Sequence, residues 1–177
     1  MILSNKFQYI INYKILGGIF FMKILVVYYS RTGNTREVAE EIRNNLECDI
    51  EEIIDTQNRS GLLNYINSGF QASRKKLTTL ENIKNDPANY DLLVIGTPVW
   101  ASNISTPIRT YINQNQAKFN NVAFFCTAGG SRFDGTFSEL TELSGTSPIA
   151  RIGLKANEVR DGSYKTKIAE FIKKIQI

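Results

Sequence analysis

The side chains best suited to bind a ligand are grouped in one short stretch, residues 30–35, where hydroxyl and amide residues surround a single glycine. Ser, Thr and Asn all cap helices well, but one cap needs only one such residue. The stretch contains more than one cap requires: Ser30, Thr32, Asn34 and Thr35. Hydroxyls can donate to phosphate oxygens, and Gly33 allows a backbone conformation with positive φ. There is no lysine, as a nucleoside-triphosphatase loop would need, so the stretch predicts a phosphate site of another kind.

The residues on either side predict the elements that position this stretch. Val26 to Tyr29 are β-branched or aromatic and carry no charge, as in a fully buried strand. Apolar residues then recur at helical spacing at Val38, Ala39, Ile42 and Leu46. A strand, a turn and a helix in this order direct backbone N–H groups and the positive end of the helix dipole at the turn. That arrangement favours an anion such as phosphate.

The same residues resemble the phosphate-binding signature of the flavodoxin family. The pattern is an aliphatic pair followed at fixed spacing by Tyr28, Ser30, Gly33, Thr35, Ala39 and Ile42. In that family the loop holds the 5′-phosphate of FMN, so the resemblance implies FMN as the cofactor. It implies side-chain contacts from Ser30, Thr32, Asn34 and Thr35, with Arg31 and Gly33 contributing mainly backbone.

The remainder of the chain alternates between predicted strands and helices. The strands are Lys23–Tyr29, Asp49–Ile54, Asp91–Gly96, Val122–Thr127 and Ile149–Leu154. The helices are Thr35–Leu46, Gly61 to about Lys76, Pro107–Asn113, Phe137–Leu143 and Tyr164–Ile175. This alternation predicts the α/β class, a flavodoxin-like three-layer sandwich with a five-stranded parallel sheet and helices on both faces. The second strand is short and polar, as at a sheet edge, which fits the order 2-1-3-4-5.

In that order a ligand lies at the carboxyl ends of the first and third strands. The loop after the third strand contains Thr97, Pro98, Val99 and Trp100, the only tryptophan of the chain. Trp100 is interpreted as a flat partner for a flavin ring, and the alternative is a hydrophobic plug over the core. The loop resembles the segment of flavodoxin-like proteins that flanks the isoalloxazine.

The loop after the fourth strand contains Ala128, Gly129 and Gly130. Two glycines allow close approach of a ligand and offer N–H groups, although an ordinary flexible loop has the same composition. The resemblance implies hydrogen bonds from this loop to the pyrimidine edge of the flavin. Phe133 is an open candidate for a second stacking ring.

The leading hypothesis is an FMN-binding redox protein that transfers electrons through its flavin. Its partners are then redox proteins or a small acceptor such as a quinone, and an NAD(P)H:quinone-type oxidoreductase is the alternative. Arg31, Arg109 and Arg132 are expected near the ligand edge, with Asp134 as the opposing acid. Electron-shuttle flavodoxins are typically acidic there. A basic rim eases formation of the anionic reduced flavin, which favours the two-electron oxidoreductase.

A phosphatase is a remote alternative. Cys126 and Arg132 have the Cys-x5-Arg spacing of a thiolate phosphatase loop. The chain contains no histidine, which rules out a Ser-His-Asp arrangement, and no catalytic side chain or metal ligand is assigned.

Composition limits the other function classes. The two cysteines cannot form a disulfide framework, which favours a reducing compartment such as the cytoplasm. The net charge of +4 is scattered along the chain, and a nucleic-acid footprint would instead be clustered.

Residues 1–21 differ from the rest of the chain, since they contain lysine but no acidic residue. Their apolar run from Ile15 to Phe21 is too short to span a bilayer, and no cleavage site of a signal peptide follows. We expect an N-terminal extension from a misplaced start or a loosely ordered arm, with weak surface anchoring as a further alternative. Residues 22–177 are predicted to form one flavodoxin-like FMN-binding domain.

Overall fold

A parallel sheet of five strands lies at the centre of the structure. The structure is a computed structural model and describes residues 14–16, 19–57, 59 and 62–176. The strands are β1 (Lys14–Leu16), β2 (Ile19–Phe21), β3 (Ile24–Tyr28), β4 (Asp49–Glu52), β5 (Leu92–Trp100), β6 (Asn103–Ile104), β7 (Asn121–Ala128) and β8 (Arg151–Lys155). The parallel strands lie in the order β4-β3-β5-β7-β8. Counted among themselves, they have the predicted order 2-1-3-4-5. The short strand β6 pairs antiparallel with the end of β5.

Helices cover both faces of this sheet, which confirms the predicted fold class. They are α1 (Asn34–Leu46), α2 (Leu62–Ser73), α3 (Thr106–Asn115), α4 (Asp134–Ser144), α5 (Ala156–Asp161) and α6 (Tyr164–Ile175). One hydrophobic core packs α1, α5 and α6 on one face, with Val38 and Ile168 among its residues. The other core packs α2, α3 and α4 on the opposite face, with Ile108 and Leu140 among its residues.

The position of each strand follows from its composition. Every residue of β3 is buried, as expected for an uncharged strand between two neighbours. The strand β4 has one fully buried residue among exposed and half-buried ones and lies at the end of the sheet, so the prediction of an edge strand is confirmed.

The largest difference from the predicted elements is the length of β5, which continues past Gly96 to Trp100. Pro98 favours a loop in a sequence-based prediction because proline cannot donate to a sheet ladder. Here β3 pairs with β5 only as far as Gly96, so Pro98 has no partner in β3. Pairing with β7 continues to Thr127 opposite Pro98. The helix α5 was not predicted, because six residues give too little periodicity.

The predicted N-terminal extension falls mainly outside the described residues, which omit 1–13, 17 and 18. The described parts, β1 and β2, form an antiparallel pair. No helix within the described ranges is both long and apolar enough to cross a membrane.

Candidate cofactor site

A cavity of about 450 Å³ opens at the carboxyl ends of β3, β5 and β7. This volume lies within the usual range of small-molecule sites. The predicted residues that line it are Arg31, Thr32, Asn34, Pro98, Val99, Trp100, Ala128 and Gly129. The lining residues that were not predicted are Gly69, Ala101, Thr127 and Ala156. The cavity therefore lies where the strand order places a ligand, and all three predicted loops contribute to it.

The first loop begins α1 with a glycine in the left-handed region. Gly33 has φ 96° and its carbonyl accepts the N–H of Glu37 at 2.9 Å, which starts the helix. The Oγ of Ser30 accepts the N–H of Gly33 at 3.2 Å and so tightens the turn. The first N–H groups of a helix have no acceptor within the helix, and together with the helix dipole they favour an anion. Thr32 and Asn34 face the cavity at this helix end.

A pair of hydroxyls joins the first loop to the third. The Oγ1 atoms of Thr35 and Thr127 are 2.8 Å apart, and either of them can donate the hydrogen bond. Thr127 lines the cavity, whereas Thr35 is 2% exposed and lies outside the lining. The predicted ligand Thr35 is therefore one hydrogen bond away from a cavity residue.

Other predicted residues also lie outside the cavity lining. They are Ser30, Gly33, Thr97 and Gly130. Thr97 is completely buried, and its Oγ1 accepts the N–H of Ser105 at 3.0 Å. In this structure Thr97 therefore stabilises the loop and does not line the cavity.

Trp100 belongs both to the cavity lining and to the core. Its side chain is 5% exposed, and its ring meets that of Tyr29 edge to face at a centroid distance of 5.6 Å. The guanidinium carbons of Arg31 and Arg59 lie 5.5 and 5.6 Å from the ring centre. These distances allow cation–π attraction, which holds the indole in place. The stacking of Trp100 on a flavin stays a prediction. The structure shows that the Trp100 ring borders the cavity and is held there by its neighbours.

The polar groups behind Trp100 form a buried network. Asp55 and Arg59 form an ion pair at 2.7 Å with little exposure of either side chain. The Nη1 of Arg59 also donates to Gln71 at 2.6 Å. Burial first, and the charge of Asp55 second, raise the pKa of Tyr29 to about 12. Tyr29 is therefore neutral at physiological pH and serves as an aromatic contact for Trp100.

The glycines of the third loop are not required by packing within the protein. A Cβ added at Gly129 or Gly130 would have no neighbouring heavy atom within 4 Å. Both residues are exposed, and Gly129 lines the cavity. A ligand can therefore approach the backbone of this loop closely.

Phe133 is not among the residues that line the cavity, and its role as a second stacking ring stays an untested prediction. A Cβ added at Gly153 of β8 would lie 2.4 Å from the Phe133 ring, which shows how closely the ring covers that glycine. The ring also contacts Phe137 at a centroid distance of 6.3 Å. Phe133 is thus a packing residue between β8 and α4.

The expectation that Arg109 belongs to a basic rim is wrong. Its side chain is 3% exposed and its Nη2 lies 2.6 Å from the Oε1 of Glu139. A charge buried in this way is neutralised by its partner and contributes little to the rim. Arg132 and Asp134 are exposed but are not among the residues lining the cavity, so their place near the ligand stays a prediction. Among the residues lining the described cavity, Arg31 is basic and none is acidic.

The structure also argues against the phosphatase alternative. Cys126 is completely buried within β7, and this burial raises the pKa of its thiol. A buried neutral thiol cannot attack a phosphate ester, since the thiolate is the nucleophile. Cys126 fills a core position as a small apolar residue.

The lining residues that were missed come mostly from elements that the sequence places poorly. Ala101 lies at the end of the predicted loop after the third strand but was not chosen as a site residue, and Ala156 begins the unpredicted helix α5. Ala156 follows β8 directly, so the rule that ligands lie at the carboxyl ends of strands could have indicated it. Gly69 lies within α2, where a sequence-based prediction sees only a weakened helix.

Comparisons with known proteins identify the family of the chain. Residues 23–175 match the family model described as Flavodoxin. A crystal structure of a flavoprotein in complex with FMN from Lactobacillus acidophilus NCFM is 28% identical, covering 80% of this chain and 99% of that chain, with a TM-score of 0.66.

Two further structures support the fold alone. A protein of Bacteroides eggerthii DSM 20697, provisionally described as a flavoprotein, is 24% identical, covering 88% of this chain and 99% of that chain, with a TM-score of 0.70. The two-electron reduced flavodoxin of Megasphaera elsdenii is 17% identical, covering 82% of this chain and 93% of that chain, with a TM-score of 0.51. A search of curated proteins found no significant match.

Proposed function

Because this chain belongs to the flavodoxin family, we propose that it transfers electrons through an FMN held at the carboxyl ends of β3, β5 and β7. FMN is its cofactor, in agreement with the 28% identical flavoprotein that was crystallised with FMN. The observation that carries the proposal is the cavity itself. It brings the hydroxyl-rich start of α1 and the ring of Trp100 into one space.

The residues present fit a ligand with a phosphate at one end and an aromatic ring at the other. At the phosphate end, Thr32 and Asn34 line the cavity beside the N-terminus of α1, with Thr127 adjacent. None of the described residues that line this part of the cavity is a lysine, so backbone N–H groups and hydroxyls would hold the phosphate. We propose Ser30, Gly33 and Thr35 as supports of this loop, in addition to their implied role as ligands.

At the ring end, the cavity is lined by apolar side chains and by backbone groups. Trp100, Pro98 and Val99 would contact the ring, and the N–H groups of residues 128–130 would meet its polar edge. When bound, FMN supplies one-electron and two-electron redox chemistry. The protein residues orient the ring, exclude water from one side of it and set the local charge.

A second candidate function is an FMN-dependent oxidoreductase that reduces a quinone-type acceptor with NAD(P)H. The observation that favours it is the charge of the cavity, where Arg31 is the sole charged side chain among the lining residues described. A positive charge stabilises the negative charge of a reduced flavin, and an acidic rim would oppose it. The loss of Arg109 from the rim weakens this argument, because a single arginine now carries it.

The setting of the protein is also proposed. The two cysteines, Cys48 and Cys126, are free, which is consistent with a reducing compartment such as the cytoplasm. We propose residues 22–177 as the complete FMN-binding unit. A chain that begins at Met22 should then bind FMN with the affinity of the full chain, as measured by fluorescence titration.

A stepwise anaerobic redox titration of the FMN-loaded protein tests both functions. Reversible reduction and reoxidation of the bound flavin supports electron transfer. One two-electron step, together with NAD(P)H-dependent quinone reduction, supports the oxidoreductase. Two well-separated one-electron steps without quinone reduction support the carrier. A bound flavin that dithionite cannot reduce would contradict both functions.

A further inference from the structure

Trp100 is carried by a tight hairpin, residues 99–104, which we call the Trp100 hairpin. Val99 pairs with Ile104, and Trp100 pairs with Asn103, across a turn of only two residues. The turn residues, Ala101 and Ser102, have φ values of 48° and 63°. Residues other than glycine avoid this left-handed region, so the turn costs free energy that contacts elsewhere must offset.

The helix α4 supplies two of those contacts. The Oε2 of Glu139 accepts the N–H of Ile104 at 2.9 Å. The Oγ1 of Thr136 donates to the carbonyl of Ser102 at 3.3 Å. Glu139 is 7% exposed and Thr136 is completely buried. The turn and the second strand of the hairpin are therefore both bound to one face of α4.

The carboxylate that accepts the N–H of Ile104 is held in place by a buried arginine. The Nη2 of Arg109, on α3, lies 2.6 Å from the Oε1 of Glu139. The same Nη2 donates to the carbonyl of Ala72, in α2, at 3.4 Å. One oxygen of Glu139 thus lies beside Arg109 in an ion pair without a hydrogen bond, while the other accepts the N–H of Ile104. The charge of Arg109 offsets the buried charge of the carboxylate.

We propose that Glu139, its charge paired with Arg109 and its other oxygen bound to the N–H of Ile104, is a positioning residue for the flavin-ring side of the cavity. It keeps the Trp100 hairpin, and with it the cavity residues Val99, Trp100 and Ala101, at the distance that the ring requires. This inference rests on the proposed FMN site. The hairpin meets the loop at residues 30–35 where the guanidinium of Arg31 lies over the ring of Trp100. Glu139 contacts the far strand of the hairpin, at Ile104, so its main effect is on binding of the isoalloxazine rather than of the phosphate.

The decisive experiment compares two double variants that both remove the ion pair. R109M/E139M leaves the N–H of Ile104 without an acceptor, whereas R109M/E139Q keeps a carboxamide oxygen at the same place. Replacing both charges avoids an unpaired buried arginine, and apolar replacements of buried ion pairs often fold well. Each variant is titrated with FMN and with riboflavin, which has the same ring but lacks the phosphate. Glu142→Gln, an exposed change on the same helix, is the control.

We expect R109M/E139M to bind both ligands about tenfold more weakly than the original protein. R109M/E139Q should bind both within about twofold of the original affinities, because its side chain still accepts the hydrogen bond. The flavin circular dichroism band should change in the first variant alone. A separate variant, Thr136→Val, removes the other contact of the hairpin without touching the ion pair, and should weaken both ligands about threefold.

Equal affinities of the two double variants would overturn the inference, since the hydrogen bond to Ile104 would then have no effect. A loss confined to FMN would also overturn it, because it would place the effect at the phosphate. If R109M/E139M does not fold, unchanged binding of both ligands by Thr136→Val overturns it. Failure of the original protein to bind FMN would instead reject the proposed function.

Discussion

At the scale of single residues, the proposed phosphate site depends on the hydroxyls around the start of α1. We expect Thr35→Val and Ser30→Ala each to weaken FMN binding by about 1–3 kcal/mol, the value of a charge-assisted hydrogen bond. Thr35 acts directly or through Thr127, and Ser30 acts directly or through the N–H of Gly33. Isothermal titration calorimetry measures the loss. Thr166→Val, an exposed change on α6, is the matched control and should bind as before.

Unchanged affinity in both variants would mean that backbone N–H groups alone hold the phosphate. Riboflavin provides a second check, because it has no phosphate. Its affinity should not change in either variant.

The thiol of Cys126 is expected to be unreactive in the folded protein. It is completely buried and burial raises the pKa of its thiol, so a thiol reagent should label it only after unfolding. Cys126→Ser should retain FMN binding and the reversible redox cycle, as shown by absorbance spectroscopy. Hydrolysis of an aryl phosphate by the original protein, and its loss in Cys126→Ser, would restore the phosphatase alternative.

At the scale of elements, the strained turn of the Trp100 hairpin makes a testable contribution to stability. Ser102 is exposed, has φ 63° and does not line the cavity. Ser102→Gly should raise the free energy of unfolding by about 1 kcal/mol, since glycine adopts this conformation without a steric penalty. Thermal unfolding measures the gain. Ser138→Gly, the same change at an exposed helical position, should lower stability instead.

A lower melting temperature for Ser102→Gly would show that the left-handed turn is not strained. The contacts of α4 with the hairpin would then have no strain to offset.

The elements with strong periodicity could be predicted from the sequence. The uncharged strand β3, the amphipathic helix α6 and the edge strand β4 all lie where their patterns place them. The Trp100 hairpin could not be predicted, because Pro98 indicates a loop and Ala-Ser is an unusual pair for a two-residue turn. The helix α5 is too short for a periodic signal.

The parts of the candidate site formed by residues adjacent in sequence were predictable, whereas the parts brought together by packing were not. The loop at residues 30–35 carries its own signature, whereas Gly69 enters the cavity only through packing of α2. Arg109 was misplaced because its partner, Glu139, lies thirty positions further along the chain and on another helix. Sequence spacing cannot show that such a pair is buried together.

At the scale of the whole molecule, the proposed redox function depends on the distribution of charge around the cavity. With Arg109 buried against Glu139, Arg31 is the basic residue that faces the cavity, 5.5 Å from the ring of Trp100. Arg31→Gln should disfavour the negatively charged reduced flavin by about 1 kcal/mol, because a positive charge near the ring is removed. Spectroelectrochemical titration should therefore give a lower midpoint potential.

Arg43→Gln provides the matched control for this change in charge. Arg43 is exposed in the last turn of α1, far from the loop that begins the helix, so its replacement should leave the potential unchanged. Equal potentials for Arg31→Gln and the original protein would mean that cavity charge does not tune the flavin. The argument for the two-electron oxidoreductase would then be lost.

The central claim is that the start of α1 is a phosphate site within an FMN cavity. Its most direct test is parallel calorimetric titration of the apoprotein with FMN, FAD and riboflavin. We expect tight binding of FMN and affinities lower by about a hundredfold for riboflavin and FAD, since the proposed site suits a terminal phosphate dianion. Equal affinities for FMN and riboflavin would contradict the claim.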